Sequence, residues 1–219
     1  MTSRPENLQD ALQRILPQAS LSAQRLPQVP EIELLLLTDA APARNLDGET
    51  ARKVMDNPLY WIFCWASGQV LARYLLDHPE TVAGKRVMDF GCGSGVVAIA
   101  AALAGAQTVI ACDDDPLALE ATKENAAING VSLELSAEFF AVEGHIDMIV
   151  MADVLYDRAN LPWLDRAAER ASSVLLADSR LRDFSHTAYA RIGTLPSNTI
   201  PDLDESKEFR NVSLYKSAQ

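Results

Sequence analysis

From Arg86 the chain passes through five mostly apolar residues (RVMDF), a turn with three glycines (Gly91-Cys92-Gly93-Ser94-Gly95), and a run of small apolar residues that continues to Ala104. No other stretch limits the fold as tightly. The short apolar run reads as a buried strand, and the small-residue run reads as a closely packed helix. Glycines let the chain reverse between them and let a ligand approach the backbone. A strand hidden on both faces belongs in a parallel sheet, with helices covering it.

The same alternation continues downstream. Thr108–Cys112 (TVIAC), Leu133–Leu135, Ile146–Ala152 (IDMIVMA), Ser173–Ala177, Ala188–Leu195 and Phe209–Tyr215 read as further strands. Pro116–Ile128 reads as a helix, with Pro116 in its first turn and Gly130 past its end, and Leu161–Ala171 as another. This pattern predicts an α/β protein: a doubly wound Rossmann-like sheet of seven mostly parallel strands with a C-terminal antiparallel hairpin. Before it lies a short N-terminal extension of helix, linker and strand. Asn7–Leu16 spaces its leucines for an amphipathic helix, Pro27 and Pro30 bracket an extended link, and Glu31–Leu37 (EIELLLL) reads as a strand. Residues 38–58 read as loop. Leu59–Leu76 reads as one helix, with Trp61 and Trp65 four apart on one face. We therefore place the extension at residues 1–45 and the main domain at 46–219.

In such sheets ligands bind beyond the carboxyl ends of the strands, and the charge gathers there. The formal net charge is −11, and residues 85–157 alone hold 3 basic and 12 acidic groups. This balance opposes a surface for nucleic-acid phosphates or a polybasic membrane anchor. No apolar run approaches a membrane span. The opening MTSRPENLQDALQRIL carries Glu6 and Asp10 and does not read as a signal peptide. Cys64, Cys92 and Cys112 are too far apart for a metal knuckle or a disulfide framework, and His78, His145 and His186 are isolated. The expectation is a reduced, cytoplasmic protein without a metal site.

The glycines fall as GxGxG, with Val96 at the sixth position, not as the GxGxxG or GxGxxA of a dinucleotide turn, and no GKS/T follows. Asp89 precedes the turn, where it would repel a pyrophosphate but could accept from an ammonium. Asp113 lies 22 residues after Gly91, the reach of an acid that holds ribose hydroxyls, while Asp114 or Asp115 can cap the next helix. These segments, VMDFGCGSG at 87–95, ACDDDP at 111–116 and ENAAING at 124–130, resemble the seven-strand S-adenosylmethionine-dependent methyltransferases. The resemblance implies that Gly91, Cys92 and Gly93 approach the methionine part of the cofactor. It implies that Asp113 binds the ribose with Asp114 beside it, that Asp89 lies near the ammonium, and that Glu138 after the third strand contacts adenine.

After the fourth strand come Asp153-Val154-Leu155-Tyr156-Asp157. An acceptor ammonium must be bound, desolvated and deprotonated before attack. A carboxylate can orient it, and an aromatic face can stabilise the cation. Because Asp153 would raise the amine's pKa, it suits positioning better than base catalysis. The Asp-x-x-Tyr spacing resembles lysine-specific protein methyltransferases. Together with VPEIELLLLT at 29–38, Tyr60-Trp61 and Trp65 to Leu76, it resembles the family acting on lysines of the electron-transfer flavoprotein beta subunit. That likeness implies a protein lysine as acceptor, Asp153 and Tyr156 as the catalytic pair and Trp65 at the methionine end. The chain departs from the family at ADSRLRDF (177–184), where a Gly-Asp-Pro-Gly-like turn is expected. Some bacterial relatives are described as nicotinamide N-methylases, so a small amine or N-heterocycle is an alternative acceptor. A non-catalytic Rossmann-like module or a nicotinamide-dependent oxidoreductase is a reading of another class, the latter opposed by the glycine spacing and Asp89. Oligomeric state is not fixed by the sequence.

Overall fold

A computed structural model describes residues 7–44, 47–181 and 184–217. The first six residues of the opening read as no signal peptide, and Arg182 and Asp183 of ADSRLRDF, lie outside that set. The described residues form two sheets. β1 (Leu21–Arg25) and β2 (Glu33–Leu37) form an antiparallel hairpin. β3 (Arg86–Phe90), β4 (Thr108–Cys112), β5 (Glu134–Ser136), β6 (Ile146–Ala152), β7 (Ala171–Asp178), β8 (Tyr189–Pro196) and β9 (Asn211–Ser217) form one seven-stranded sheet in the order β5-β4-β3-β6-β7-β9-β8. Strands β3 to β7 pair in parallel, and β9 runs antiparallel between β7 and β8. The helices are α1 (Leu8–Ile15), α2 (Ala41–Arg44), α3 (Gly48–Asp56), α4 (Ala66–Asp77), α5 (Val96–Leu103), α6 (Pro116–Ile128) and α7 (Trp163–Arg170).

Strand periodicity divides the core. Val87, Met148, Val150, Leu175 and Ala177 face α4 and α5, while Met88, Ile149, Met151, Val174 and Leu176 face α7. The α5 run of small residues, Ala98 to Ala101, lets that helix lie close against both the sheet and α4. A third cluster joins α1, Leu37, Trp61, Ile62 and the Ala118–Ala121 face of α6.

The hairpin is fastened to α6 by two asparagines one turn apart. Asn125 Oδ1 accepts from the Leu35 N–H at 2.7 Å, and Asn129 Oδ1 accepts from the Glu33 N–H at 3.0 Å while its Nδ2 donates to the Glu33 carbonyl. These side chains satisfy the edge of β2 that β1 does not reach. Asn125 Nδ2 also donates to the Ser94 carbonyl at 2.8 Å, so one buried amide connects the hairpin to the glycine turn.

The structure departs from the sequence reading at three places. Residues 38–58 contain α2 and α3, the latter started by the Asp47 side chain, which accepts from the Thr50 N–H. β1 stands before Pro27, in a stretch where the sequence reading placed no element; its polar sequence gives little periodic signal, and it exists through its pairing with β2. The helix read over 59–76 is broken: Tyr60–Ile62 form a 3-10 turn, Cys64 exchanges two backbone hydrogen bonds of 2.8 Å with Ile200, and α4 begins only at Ala66. Apolar residues there satisfy helical spacing, but a partner 136 residues away claims the backbone. Trp61 and Trp65 therefore share no helical face; Trp61 is 1% exposed in the third cluster, and Trp65 stands at the N-terminus of α4.

Asn125→Ala strands the Leu35 N–H and the Ser94 carbonyl, and we expect a loss of about 3 kcal/mol; Asn129→Ala, nearer solvent, should cost about 1 kcal/mol. Urea unfolding of both variants measures this, and equal costs would show that the link to the glycine turn carries no extra weight.

Candidate active site

The carboxyl ends of β3, β4, β6 and β7 converge with the N-terminus of α4. Asp89, next to last in β3, is 1% exposed, and its Oδ2 accepts from the Ala98 N–H at 2.9 Å, holding the first turn of α5. Burial pushes its carboxyl up to about 7, with that hydrogen bond opposing and the Asp113 charge adding. The three glycines of the turn all have left-handed φ, +72° at Gly91, +52° at Gly93 and +80° at Gly95. Two are also closed in by neighbours: a Cβ on Gly91 would come within 2.6 Å of Val154 Cγ1, and one on Gly95 within 2.8 Å of Thr122 Cγ2. Around Gly93, by contrast, an added Cβ would meet nothing within 4 Å. Its backbone forms an open ledge.

Asp113 borders the ledge. Its Oδ2 accepts from the Gly93 N–H at 2.9 Å and its Oδ1 from the Asp115 N–H at 3.0 Å. Burial raises its pKa, against both bonds. Asp115 caps α6 through the Leu117 N–H, which leaves Asp114 exposed on the rim. Thr122 fixes the turn from α6, donating to the Gly93 carbonyl at 3.1 Å, with the buried Cys92 Sγ 3.3 Å from its hydroxyl. Burial raises the Cys92 thiol, which favours a neutral packing group over a nucleophile. Glu138 stands exposed in the turn after β5, where no hydrogen bond among the described residues ties its carboxylate to the others. Its charge still reaches Cys112, whose thiol is pushed up to about 12 by burial first and then by Asp113, Asp89, Asp114 and Glu138.

Asp153 follows β6 with a left-handed φ of +52°. Its N–H donates to the Ala177 carbonyl at 3.0 Å, its Oδ2 accepts from the Ser67 N–H at 3.1 Å, and its Oδ1 accepts from the Ser179 N–H at 3.1 Å and hydroxyl at 2.8 Å. Tyr156 is 53% exposed and lies 5.3 Å, ring to ring, from Tyr60, which lies 6.0 Å from Trp65. The Trp65 Nε1–H donates to the Tyr60 carbonyl. Tyr156 is pushed up to about 12, by burial first, then by Tyr60 and by the Asp114 and Asp113 charges. The phenol therefore stays protonated at neutral pH.

The residues singled out from sequence thus fall into a ledge (Asp89, Gly91, Cys92, Gly93, Asp113, Asp114) and an aromatic-carboxylate side (Asp153, Tyr156, Trp65), with Glu138 on the rim. Val154 against Gly91 connects the two groups. Sequence reading missed Thr122, Ser67, Ser179, Tyr60 and Asp178. Asp178 ends β7, is buried, and is pushed up to about 6 by burial and the nearby Asp153 charge. The segment ADSRLRDF held the signal for Asp178, an acid at a strand's carboxyl end. Among the described residues no group of three or more His, Cys, Asp or Glu is arranged to hold a metal ion, and no helix is long and apolar enough to cross a membrane.

The chain is similar to known methyltransferases. The model of the family "Ribosomal protein L11 methyltransferase (PrmA)" matches residues 71–160, from α4 past Tyr156. The chain is 35% identical over 192 residues to the electron transfer flavoprotein beta subunit lysine methyltransferase of Xenopus laevis, covering 84% of this chain and 77% of that protein. With the Rattus norvegicus protein of that name it is 35% identical over 182 residues, covering 79% and 70%. The crystal structure of ribosomal protein L11 methylase from Lactobacillus delbrueckii subsp. bulgaricus shares the fold, with a TM-score of 0.52 at 22% identity over 70% of this chain and 78% of that one. The sheet order and these relatives define an S-adenosylmethionine-dependent methyltransferase of the protein-lysine type. The chain belongs to the electron transfer flavoprotein beta subunit lysine methyltransferase family.

Asp89 also sets a pH dependence. Its folded pKa is raised from the ordinary 3.8 to about 7, so between those values the folded state holds the extra proton. Its contribution to stability therefore falls as pH rises through that window. Asp89→Asn, which keeps the acceptor for Ala98, should raise the melting temperature more at pH 8 than at pH 5; an equal change at both would place the ordinary carboxylate pKa at Asp89.

Proposed function

We propose that this enzyme methylates a lysine side chain of the beta subunit of an electron transfer flavoprotein, as its relatives' names describe for them. The observation that carries the reading is Asp153, fixed by three hydrogen bonds at the end of β6, with the next residue, Val154, against Gly91 of the glycine ledge and the exposed Tyr156–Tyr60 ring pair at the mouth of the same strand end. A fixed anion and exposed aromatic faces at one strand end suit a cationic side chain.

S-adenosylmethionine, when bound, supplies a methyl group made electrophilic by its sulfonium. The open backbone at Gly93 suits such a group, since among the described residues no atom lies within 4 Å of where a Cβ would stand. In this reading Gly91, Cys92 and Gly93 form the floor, and Asp113 turns toward the ribose hydroxyls with Asp114 on the rim. Asp89 keeps one oxygen on the Ala98 N–H and its charge beneath the ledge, favouring the cofactor's ammonium above it. Trp65 closes the methionine end, and Glu138 stands on the adenine side. Asp153 accepts from the acceptor ammonium and orients its nitrogen for in-line attack. Since a carboxylate stabilises the ammonium, Asp153 captures and aligns the amine, and the proton leaves to solvent. Tyr156 and Tyr60 present ring faces to the cation and limit water around it.

Asp113→Ala should weaken S-adenosylmethionine binding at least about tenfold, by loss of charge-assisted hydrogen bonds, read by calorimetry; unchanged affinity would remove Asp113 from the ribose. Asp153→Ala should reduce transfer at least about a hundredfold with cofactor affinity nearly kept, and surviving turnover would end its role. Labelled methyl transfer into purified electron transfer flavoprotein, followed by peptide mass spectrometry, tests the acceptor. Label appearing only in a small amine would favour the alternative reading.

A further inference from the structure

We propose that the end of β7 and the turn that follows it, residues 178–180, set the Asp153 carboxylate for the acceptor, with Ser179 and Asp178 as positioning residues. The inference rests on the reading that Asp153 orients the acceptor amine.

Asp153 holds a left-handed φ of +52°. For a residue with a side chain that conformation is disfavoured and persists where surroundings enforce it. The enforcement comes mainly from one turn. The Asp178 Oδ1 accepts from the Arg180 N–H at 2.7 Å and the Leu181 N–H at 2.8 Å, bending the chain as it leaves β7. The bend gives Asp153 both donors of Ser179, N–H and hydroxyl, on the single oxygen Oδ1. The Ser67 N–H takes Oδ2 from the other side.

The two donating segments are also tied to each other. The Arg180 guanidinium lies 5.8 Å from the Trp65 ring centroid and 4.7 Å from that of Phe209, and it pairs with Glu205 at 2.7 Å. Trp65 precedes Ser67 by two residues, and Arg180 follows Ser179 by one. The ring of contacts therefore closes: Asp153 to Ser67, back to Trp65, across to Arg180, and through Ser179 to Asp153.

A carboxylate offers about four lone-pair positions. Ser179 fills both on Oδ1 and Ser67 fills one on Oδ2, so the geometry assigns the acceptor nitrogen to the remaining position on Oδ2. Without the Ser179 hydroxyl only its N–H holds Oδ1, so the carboxylate can turn about its last bond toward water and the amine loses a fixed anchor.

Four variants, Ser179→Ala, Ser179→Thr, Asp178→Asn and Asp178→Ala, test this in the full-length protein. We expect Ser179→Ala to lower kcat about tenfold with the KM for S-adenosylmethionine unchanged. Ser179→Thr, which keeps both donors, should restore most of the loss. Asp178→Asn keeps the acceptor that folds the turn and should resemble wild type, whereas Asp178→Ala should behave as Ser179→Ala. Amide exchange at Ser67, a readout independent of turnover, should quicken about tenfold in Ser179→Ala as its acceptor loosens. If Asp153→Ala abolishes transfer while Ser179→Ala leaves both kcat and Ser67 exchange at wild-type values, the positioning role is overturned and the role of Asp153 stands. If Asp153→Ala leaves transfer intact, both fall. Equal losses of melting temperature and cofactor affinity in Ser179→Ala and Ser179→Thr would mark a purely structural turn and overturn the proposal.

Discussion

A carboxylate kept almost wholly from water organises this molecule. Asp89 accepts from the third residue of α5 and so fixes how the helix leaves the strand. Burying an acid is costly, which is why its carboxyl is held near 7. The cost is met by geometry. With α5 held, the turn must run through three left-handed glycines, and the Gly93 backbone is left open. Thr122 and Asn125 on α6 then grip the turn at the Gly93 and Ser94 carbonyls. Asn125 passes the constraint on to the N-terminal hairpin.

The acceptor side is organised by a second acid under a different constraint. Asp89 is fixed within its own βα unit, whereas Asp153 is held by residues 86 positions earlier and 26 positions later. α4 delivers Ser67 and Trp65, β7 delivers Ser179 and Arg180, and the β8–β9 connection holds Arg180 in place through Glu205. The antiparallel end of the sheet thereby takes part in shaping the site, and the Cys64–Ile200 pairing stitches it to the segment entering α4.

Legibility in the sequence followed this difference. Asp89, Gly91, Gly93 and Asp113 could be read because strand, turn and helix are contiguous and the spacing of glycines and acids is local. β6 and its Asp153 could be read for the same reason. Ser67 and Ser179 could not, since a serine near a strand or helix end carries no signal until its partner is known. Tyr60 was hidden by a false continuity: Leu59 to Leu76 fits helical periodicity, and only Ile200 shows why the backbone must open at Cys64.

The sequence by itself determined the alternating architecture, the ledge and the cluster of acids at the strand ends, because periodicity, glycine conformation and charge act over a few residues. Tertiary structure alone decided which way the Asp153 carboxylate faces, that Tyr60 joins Tyr156 and Trp65, and that β1 and β2 dock on α6. Those outcomes depend on hydrogen bonds and ring contacts between residues far apart in the chain, and no local preference of either partner specifies the other.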